Sequence, residues 1–190
     1  MKKILVIFLL SFGVNYGVFS QEKARVIKVL DGDSYVLLSH NKKHYIRLLN
    51  VDSPEMKQHW GINSKNCISE LILGKDVEFE TIKRDLYGRE LANIKLNGQR
   101  VDSLMIANGW AWYYSPDRNK SNLNELMLEA LKNRKGMWDC DFSKICPPWL
   151  FRKFNTWNRN KYCRGCINNN YSFLNINTIK NGQIKWITQN

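Results

Sequence analysis

The sequence predicts a mainly β fold with helices (α+β): a small five-stranded barrel with about three helices at its base, followed by a cysteine-containing C-terminal extension. Three observations predict it. Runs of β-branched and aromatic residues broken by turn chemistry fill the first part of the chain, two later segments alternate apolar and polar side chains, and helical periodicity occurs only between and after these strands.

Ala24 to Leu30, Ser34 to Ser39 and His44 to Val51 are separated by Asp31-Gly32 and by His40-Asn41-Lys42, so they read as an antiparallel meander. Val77, Phe79 and Thr81 alternate with Glu78 and Glu80, and Ala92, Ile94 and Leu96 alternate with Asn93 and Lys95, which is the strand period of two. Ile68, Leu71 and Ile72 fit a helix that stops at Gly74, and Val101, Leu104 and Met105 fit another that stops at Gly109. The third helix is marked by Leu123, Leu126, Met127, Ala130 and Leu131, with Asn122 and Glu125 as a capping-box-like start and Arg134, Lys135 and Gly136 as the stop. Three strands, a helix, two strands and then helices is the order of an OB-type barrel.

The 190 residues suffice for one domain of ordinary size with appendages and exclude a large multidomain machine. Lys2 and Lys3, the apolar run Ile4 to Leu10 and the small Ser20 read as a secretory signal peptide over residues 1–20. The run is much shorter than the ~20 residues that span a bilayer, so an uncleaved anchor is the lesser reading. The expected organisation is therefore a signal peptide at 1–20, the barrel domain at 21–139 and a basic, aromatic-rich extension at 140–190. A secreted or periplasmic monomer with no stable membrane association follows from it.

Twenty-nine Lys and Arg against seventeen Asp and Glu give a net charge of +12. The excess favours a polyanionic partner, nucleic acid before an acidic membrane surface. It is concentrated in residues 141–190, where eight basic residues face Asp141 alone.

Three short segments hold groups that a packed barrel does not need: Asp31-Gly32-Asp33, Arg47 through Glu55, and Arg84-Asp85-Leu86-Tyr87-Gly88-Arg89. Taken singly each is an ordinary turn or strand end. Together, a meander brings Asp33, Arg47, Asp52 and Glu55 to one rim, where crowded carboxylates repel unless a hard cation such as calcium lies among them. Two arginines suit a phosphodiester that gains charge when water attacks it, and a nearby carboxylate can orient or deprotonate that water.

On these residues, together with Val26-Ile27-Lys28, Val101 to Gly109 and Gly136-Met137-Trp138, the chain resembles the staphylococcal nuclease-like (thermonuclease) family over about residues 24 to 138. The resemblance implies Arg47, Glu55 and Arg89 as catalytic residues, Asp33 and Asp52 as calcium carboxylates, and Ser53 as a backbone ligand where the family often has Thr. It implies calcium-dependent hydrolysis of DNA and RNA that leaves 3′-phosphate ends. The segment after Glu55 reaches Gly61 quickly, so the mobile loop of the best-known member is shorter here, and Leu86 stands where that member has lysine. Tyr87 and Tyr114 are the expected nucleotide contacts, with packing on the barrel as the competing role for both.

Cys67 is expected as an unpaired buried thiol. Cys140, Cys146, Cys163 and Cys166 admit either a four-thiolate zinc site or disulfides, and export favours disulfides without choosing among three pairings. The extension itself reads either as a nucleic-acid-binding arm or as a disulfide-tied cap over the barrel. Two other functional classes compete with the nuclease: a non-catalytic nucleic-acid-binding barrel, which retention of Arg47, Glu55 and Arg89 disfavours, and a membrane-active basic protein, which rests on charge alone.

Overall fold

The computed structural model describes residues 21–114, 122–140 and 145–165, with two isolated two-residue strands, Ile179–Lys180 and Gln183–Ile184, beyond them. The expected signal peptide, Cys166 and the aromatics Tyr171, Phe173 and Trp186 lie outside these residues.

Five strands close the barrel: β1 (Glu22–Val29), β2 (Ser34–Ser39), β3 (Lys42–Leu48), β5 (Asp76–Arg84) and β6 (Glu90–Leu96). The order is β3-β2-β1-β5-β6, and a parallel pairing of β3 with β6 joins the two ends. Closure leaves neither end strand with an open edge along that pairing. The tight turn between β2 and β3 puts both His40 and Asn41 at positive φ, 47° and 61°, the conformation a two-residue type I′ hairpin needs. Alternation holds as the sequence predicts: Val77 and Phe79 of β5, and Ala92, Ile94 and Leu96 of β6, point into the core.

Three short strands were not legible in the pattern. Strand β4 (Val51–Asp52) pairs antiparallel with β8 (Trp112–Tyr113), and β7 (Gln99–Arg100) adds to the end of β6. Helix α1 (Gly61–Ile72) buries Gly61, Ser64, Ile68 and Ile72 against the barrel. Cys67, unpaired as expected, is half-buried rather than buried, because it sits on the flank of that stripe. Burial, followed by the Glu70 charge, raises its thiol pKa. Helices α2 (Val101–Ala107) and α3 (Asn122–Lys132) complete the base, and α3 buries Leu123, Met127, Ala130 and Leu131 from the predicted stripe. Asn122 begins this helix rather than preceding it. Among the described residues no helix is long and apolar enough to cross a membrane.

The described part of the extension, residues 145–165, packs on the barrel. Ile145 joins the main core, and Trp149 lies edge-on to Trp112 at 5.7 Å between ring centroids. Helices α4 (Pro148–Lys153) and α5 (Thr156–Tyr162) are clasped by a Cys146–Cys163 disulfide, and Cys140 is disulfide-bonded as well. The disulfide reading, rather than the zinc reading, holds for these three cysteines.

One buried carboxylate at the base fixes the turn that leads to the site. Asp102 accepts from Asn50 Nδ2 (3.0 Å), Arg100 Nε (3.0 Å) and the Ser103 amide (2.7 Å), while Asn50 holds a positive φ of 64° between β3 and β4. Burial alone would raise the Asp102 pKa, but the bonds from Arg100 and Asn50 outweigh it and hold the pKa below the usual carboxylate value. A depressed pKa contributes stability that is fully present above the unfolded value of ~4 and is lost as pH falls through the folded value. Asp102→Asn is therefore expected to cost about 2–4 kcal/mol at pH 7. It should also flatten the acid limb of the urea midpoint between pH 7 and pH 3; an unchanged limb would show that Asp102 does not carry it.

Candidate active site

The site begins with strand register. Ser34 pairs with Arg47 across β2 and β3, and the Asp33 carbonyl accepts the Leu48 amide at 2.8 Å, so Asp33 faces the guanidinium from the neighbouring strand. After the Asn50 turn, β4 delivers Asp52 to the same rim, and the Ser53 amide donates to Asp33 Oδ2 at 2.6 Å. This approach requires Gly32. A Cβ there would lie 2.3 Å from Ser64 Oγ and 2.5 Å from Ser53 Cβ, so any side chain would push the Ser53 segment off Asp33.

Asp33 and Asp52 are 4% and 1% exposed, too deep for bare carboxylates to be stable without a positive partner. Arg47 supplies one, pairing with Asp33 and, through Nη2, with Asp52 Oδ1 at 2.9 Å.

Arg89 arrives by a different route. The loop between β5 and β6 is a turn in which Asp85 Oδ1 accepts the amides of Tyr87 and Arg89 at 2.9 Å each and Gly88 adopts φ 79°. A positive φ at this position is what a three-residue hairpin loop with a bulge uses, and glycine tolerates it. Asp85 Oδ2 also accepts from Arg89 Nε at 2.8 Å. Burial would raise the Asp85 pKa, but the Arg89 side-chain bond and the two amides outweigh it and lower the pKa. The parallel β3–β6 pairing, Arg47 with Leu91, then sets the Arg89 end of β6 beside Arg47.

These segments enclose a cleft of about 310 Å³. Asp33, Arg47, Asp52, Ser53, Glu55, Tyr87 and Arg89 all line it, with Asp31 and Pro54. Seven of the eight residues singled out in the sequence thus meet in one place. Tyr114 does not line the cleft; it packs on Trp149 of the extension with ring centroids 5.3 Å apart. Tyr87, by contrast, is 86% exposed at the cleft edge.

The tenth lining residue is one that sequence reasoning missed. Arg152 of α4 donates through Nη2 to Asp52 Oδ2 (2.8 Å), and through Nη1 to Asp52 Oδ1 (3.1 Å) and Glu55 Oε1 (2.7 Å). The hydrogen bonds to Asp52, more than those to Glu55, raise its pKa further above the ordinary arginine value. The extension holds the Glu55 segment a second way. Gln58 Oε1 accepts the Glu55 amide at 3.1 Å, while its Nε2 donates to the Cys146 carbonyl at 2.6 Å.

Past Glu55 a wider groove of about 730 Å³ runs between residues 56–62 and α5, with Lys57, Arg159 and Arg164, and no acidic group, among its described lining residues. His59 lies in it, its pKa lowered by burial.

The donors fit a hard divalent cation in kind. The carboxylates of Asp33 and Asp52 and the Ser53 carbonyl are oxygen donors only, and both carboxylates are buried. Among the described residues no three acidic, histidine or cysteine side chains gather in a metal-binding cluster. Any ion held here would therefore lean on two carboxylates, a carbonyl and water.

Comparison with known proteins agrees with this geometry. Residues 45–140 match the family model described as staphylococcal nuclease homologue. The chain is 35% identical over 149 residues to a protein of Escherichia coli O157:H7 described as an uncharacterized endonuclease, covering 78% of this chain and 94% of that one. A Haemophilus influenzae protein with the same description is 32% identical over 144 residues, covering 72% of this chain and 79% of its own length. A staphylococcal-like nuclease of Arabidopsis thaliana is 33% identical over 112 residues, covering 59% of this chain and 34% of the plant protein.

Proposed function

Because the chain belongs to the staphylococcal nuclease-like family, we propose that it is a calcium-dependent nuclease, exported to the periplasm or the medium, that hydrolyses DNA and RNA and leaves 3′-phosphate ends. The observation that carries this reading is the convergence of Arg47, Arg89, Asp33, Asp52 and Glu55 on one cleft.

In this reading a phosphodiester enters the cleft with its non-bridging oxygens toward Arg47 and Arg89, whose planar forks can each give two hydrogen bonds as charge builds on phosphorus. Glu55, 39% exposed at its side chain, faces the water that attacks and accepts its proton, or holds it in line. The new bond is from water oxygen to phosphorus; the bond to the 5′-oxygen breaks, and that oxygen departs with a proton drawn from solvent. A calcium ion on Asp33, Asp52 and the Ser53 carbonyl would add fixed positive charge beside the phosphate. Tyr87, which lines the cleft, would touch the nucleotide in this reading. The groove beyond Glu55, lined by Lys57, Arg159 and Arg164, supports a polymeric substrate whose further phosphates these cations would meet.

Digestion of plasmid DNA and of RNA tests the reading. Cleavage is expected with calcium, much less with magnesium, which demands a tight octahedron and keeps its waters, and none with excess chelator. Equal rates with magnesium would remove the calcium preference, and full activity in chelator would remove Asp33 and Asp52 as metal ligands. Binding without cleavage under every condition would leave the non-catalytic module.

A further inference from the structure

We propose that Arg152 is a built-in counter-cation at Asp52 and Glu55 that alternates with the divalent cation: it neutralises the carboxylates while the cation is absent and swings out when the cation binds. This inference rests on the calcium part of the reading above and adds a residue from outside the matched family segment.

The first support is occupancy. Asp52 Oδ1 accepts from both Arg47 Nη2 and Arg152 Nη1, and Oδ2 accepts from Arg152 Nη2. A carboxylate presents about four lone-pair sites, so three are taken, and the fork covers the face between the two oxygens. A calcium ion needs a carboxylate oxygen at about 2.3–2.6 Å, and Asp52 Oδ2, which Arg47 does not reach, is closed to it while the Arg152 fork grips both oxygens.

The second support is the difference between the two arginines. Arg47 projects from a barrel strand and its side chain is only 15% exposed, so its position is fixed by the fold. Arg152 is 47% exposed and sits on a six-residue helix at the cleft mouth. Its half-exposed guanidinium has water to turn to on leaving the carboxylates, whereas the buried Arg47 has none. Glu55 shares the same guanidinium through Oε1, so release of Arg152 also frees the carboxylate that faces the attacking water.

Mutual exclusion has a reciprocal consequence. If the cation expels Arg152, removing Arg152 must tighten cation binding by the same free energy. Calcium titration calorimetry on the full chain is the test. Arg152→Ala is expected to bind calcium on the order of tenfold more tightly than wild type, and Arg152→Lys, which keeps the charge but loses the fork, to fall between. In chelator Arg152→Ala should melt below wild type and regain the difference with calcium. On the unaltered chain, amide exchange across Pro148–Lys153 should speed up when calcium is added, a readout that does not depend on any variant folding.

Unchanged or weaker calcium binding by Arg152→Ala would overturn the proposal. So would Arg152→Lys indistinguishable from wild type, which would reduce the effect to charge at a distance, and so would slower exchange in α4 with calcium. A chain that shows the expected shifts but cleaves neither DNA nor RNA would sink the nuclease reading and leave this one standing.

Discussion

Replacing Arg89 by lysine is expected to lower turnover on the order of 10²-fold or more, since a single ammonium cannot reproduce two parallel bonds to a phosphoryl group. The position isolates chemistry from stability. The Arg89 side chain is 37% exposed and its loop is held by Asp85, whose bonds to the amides of Tyr87 and Arg89 survive the change. Arg47→Lys should cost at least as much turnover and also lower the melting temperature, because Arg47 pairs with both buried carboxylates. Glu55→Gln removes the base and should cost a comparable factor with little loss of stability, as its side chain reaches only Arg152 among the described contacts. Single-turnover rates at saturating substrate separate these effects from binding. Near-wild-type rates in all three variants would show that the chemistry does not run through Arg47, Glu55 and Arg89.

Opening the Cys146–Cys163 bridge should have the other large effect. The bridge spans 17 positions, and in the chain-entropy account a loop of this size is worth about 3 kcal/mol, nearly all of it to the cap. The double serine variant is therefore expected to lose amide protection over 145–165 while the barrel keeps its own. The consequence should reach the cleft. With Cys146 unmoored, Gln58 loses the carbonyl that braces it, and the Glu55 amide loses a partner fixed in space. Turnover should fall about tenfold, in keeping with the sensitivity of catalysis to small misplacement. Protection of 145–165 equal to wild type would show that packing of Ile145 and Trp149 alone holds the cap.

Much of the barrel was legible because its signals are local. Alternation in β5 and β6, the positive-φ pair His40-Asn41 and the apolar stripe of α3 each lie within a few residues of the bonds they describe. The rim residues were legible for a related reason: Asp33, Arg47 and Asp52 cluster around one meander, so strand pairing alone brings them together. Strand β4, two residues long, carries no period, and its partner β8 lies some sixty positions away. Helix α5 has no buried residue and hence no stripe to find. Arg152 was hidden for the strongest reason. It is one of eight basic residues in a tail whose charge is its evident feature, and nothing near it in sequence marks it as the one that reaches Asp52, 100 positions earlier. Tyr114 lies off the cleft for a reason of register: its neighbour Tyr113 turns inward and Tyr114 packs on Trp149.

That separation of 100 positions bears on how such a site can change over generations. The entropy of closing a chain loop grows only with the logarithm of its length, about 0.6 kcal/mol for each doubling, so bringing Arg152 to Asp52 costs little more than closing the barrel between β3 and β6. Register in the barrel is rigid by comparison, because a one-residue slip would turn Asp33, Arg47 and Asp52 away from one another. Variation in the third guanidinium is therefore decoupled from variation in the first two. A lineage can lengthen, shorten or replace the segment that carries residue 152, and so change what covers Asp52 and Glu55, without altering any strand that builds the rim.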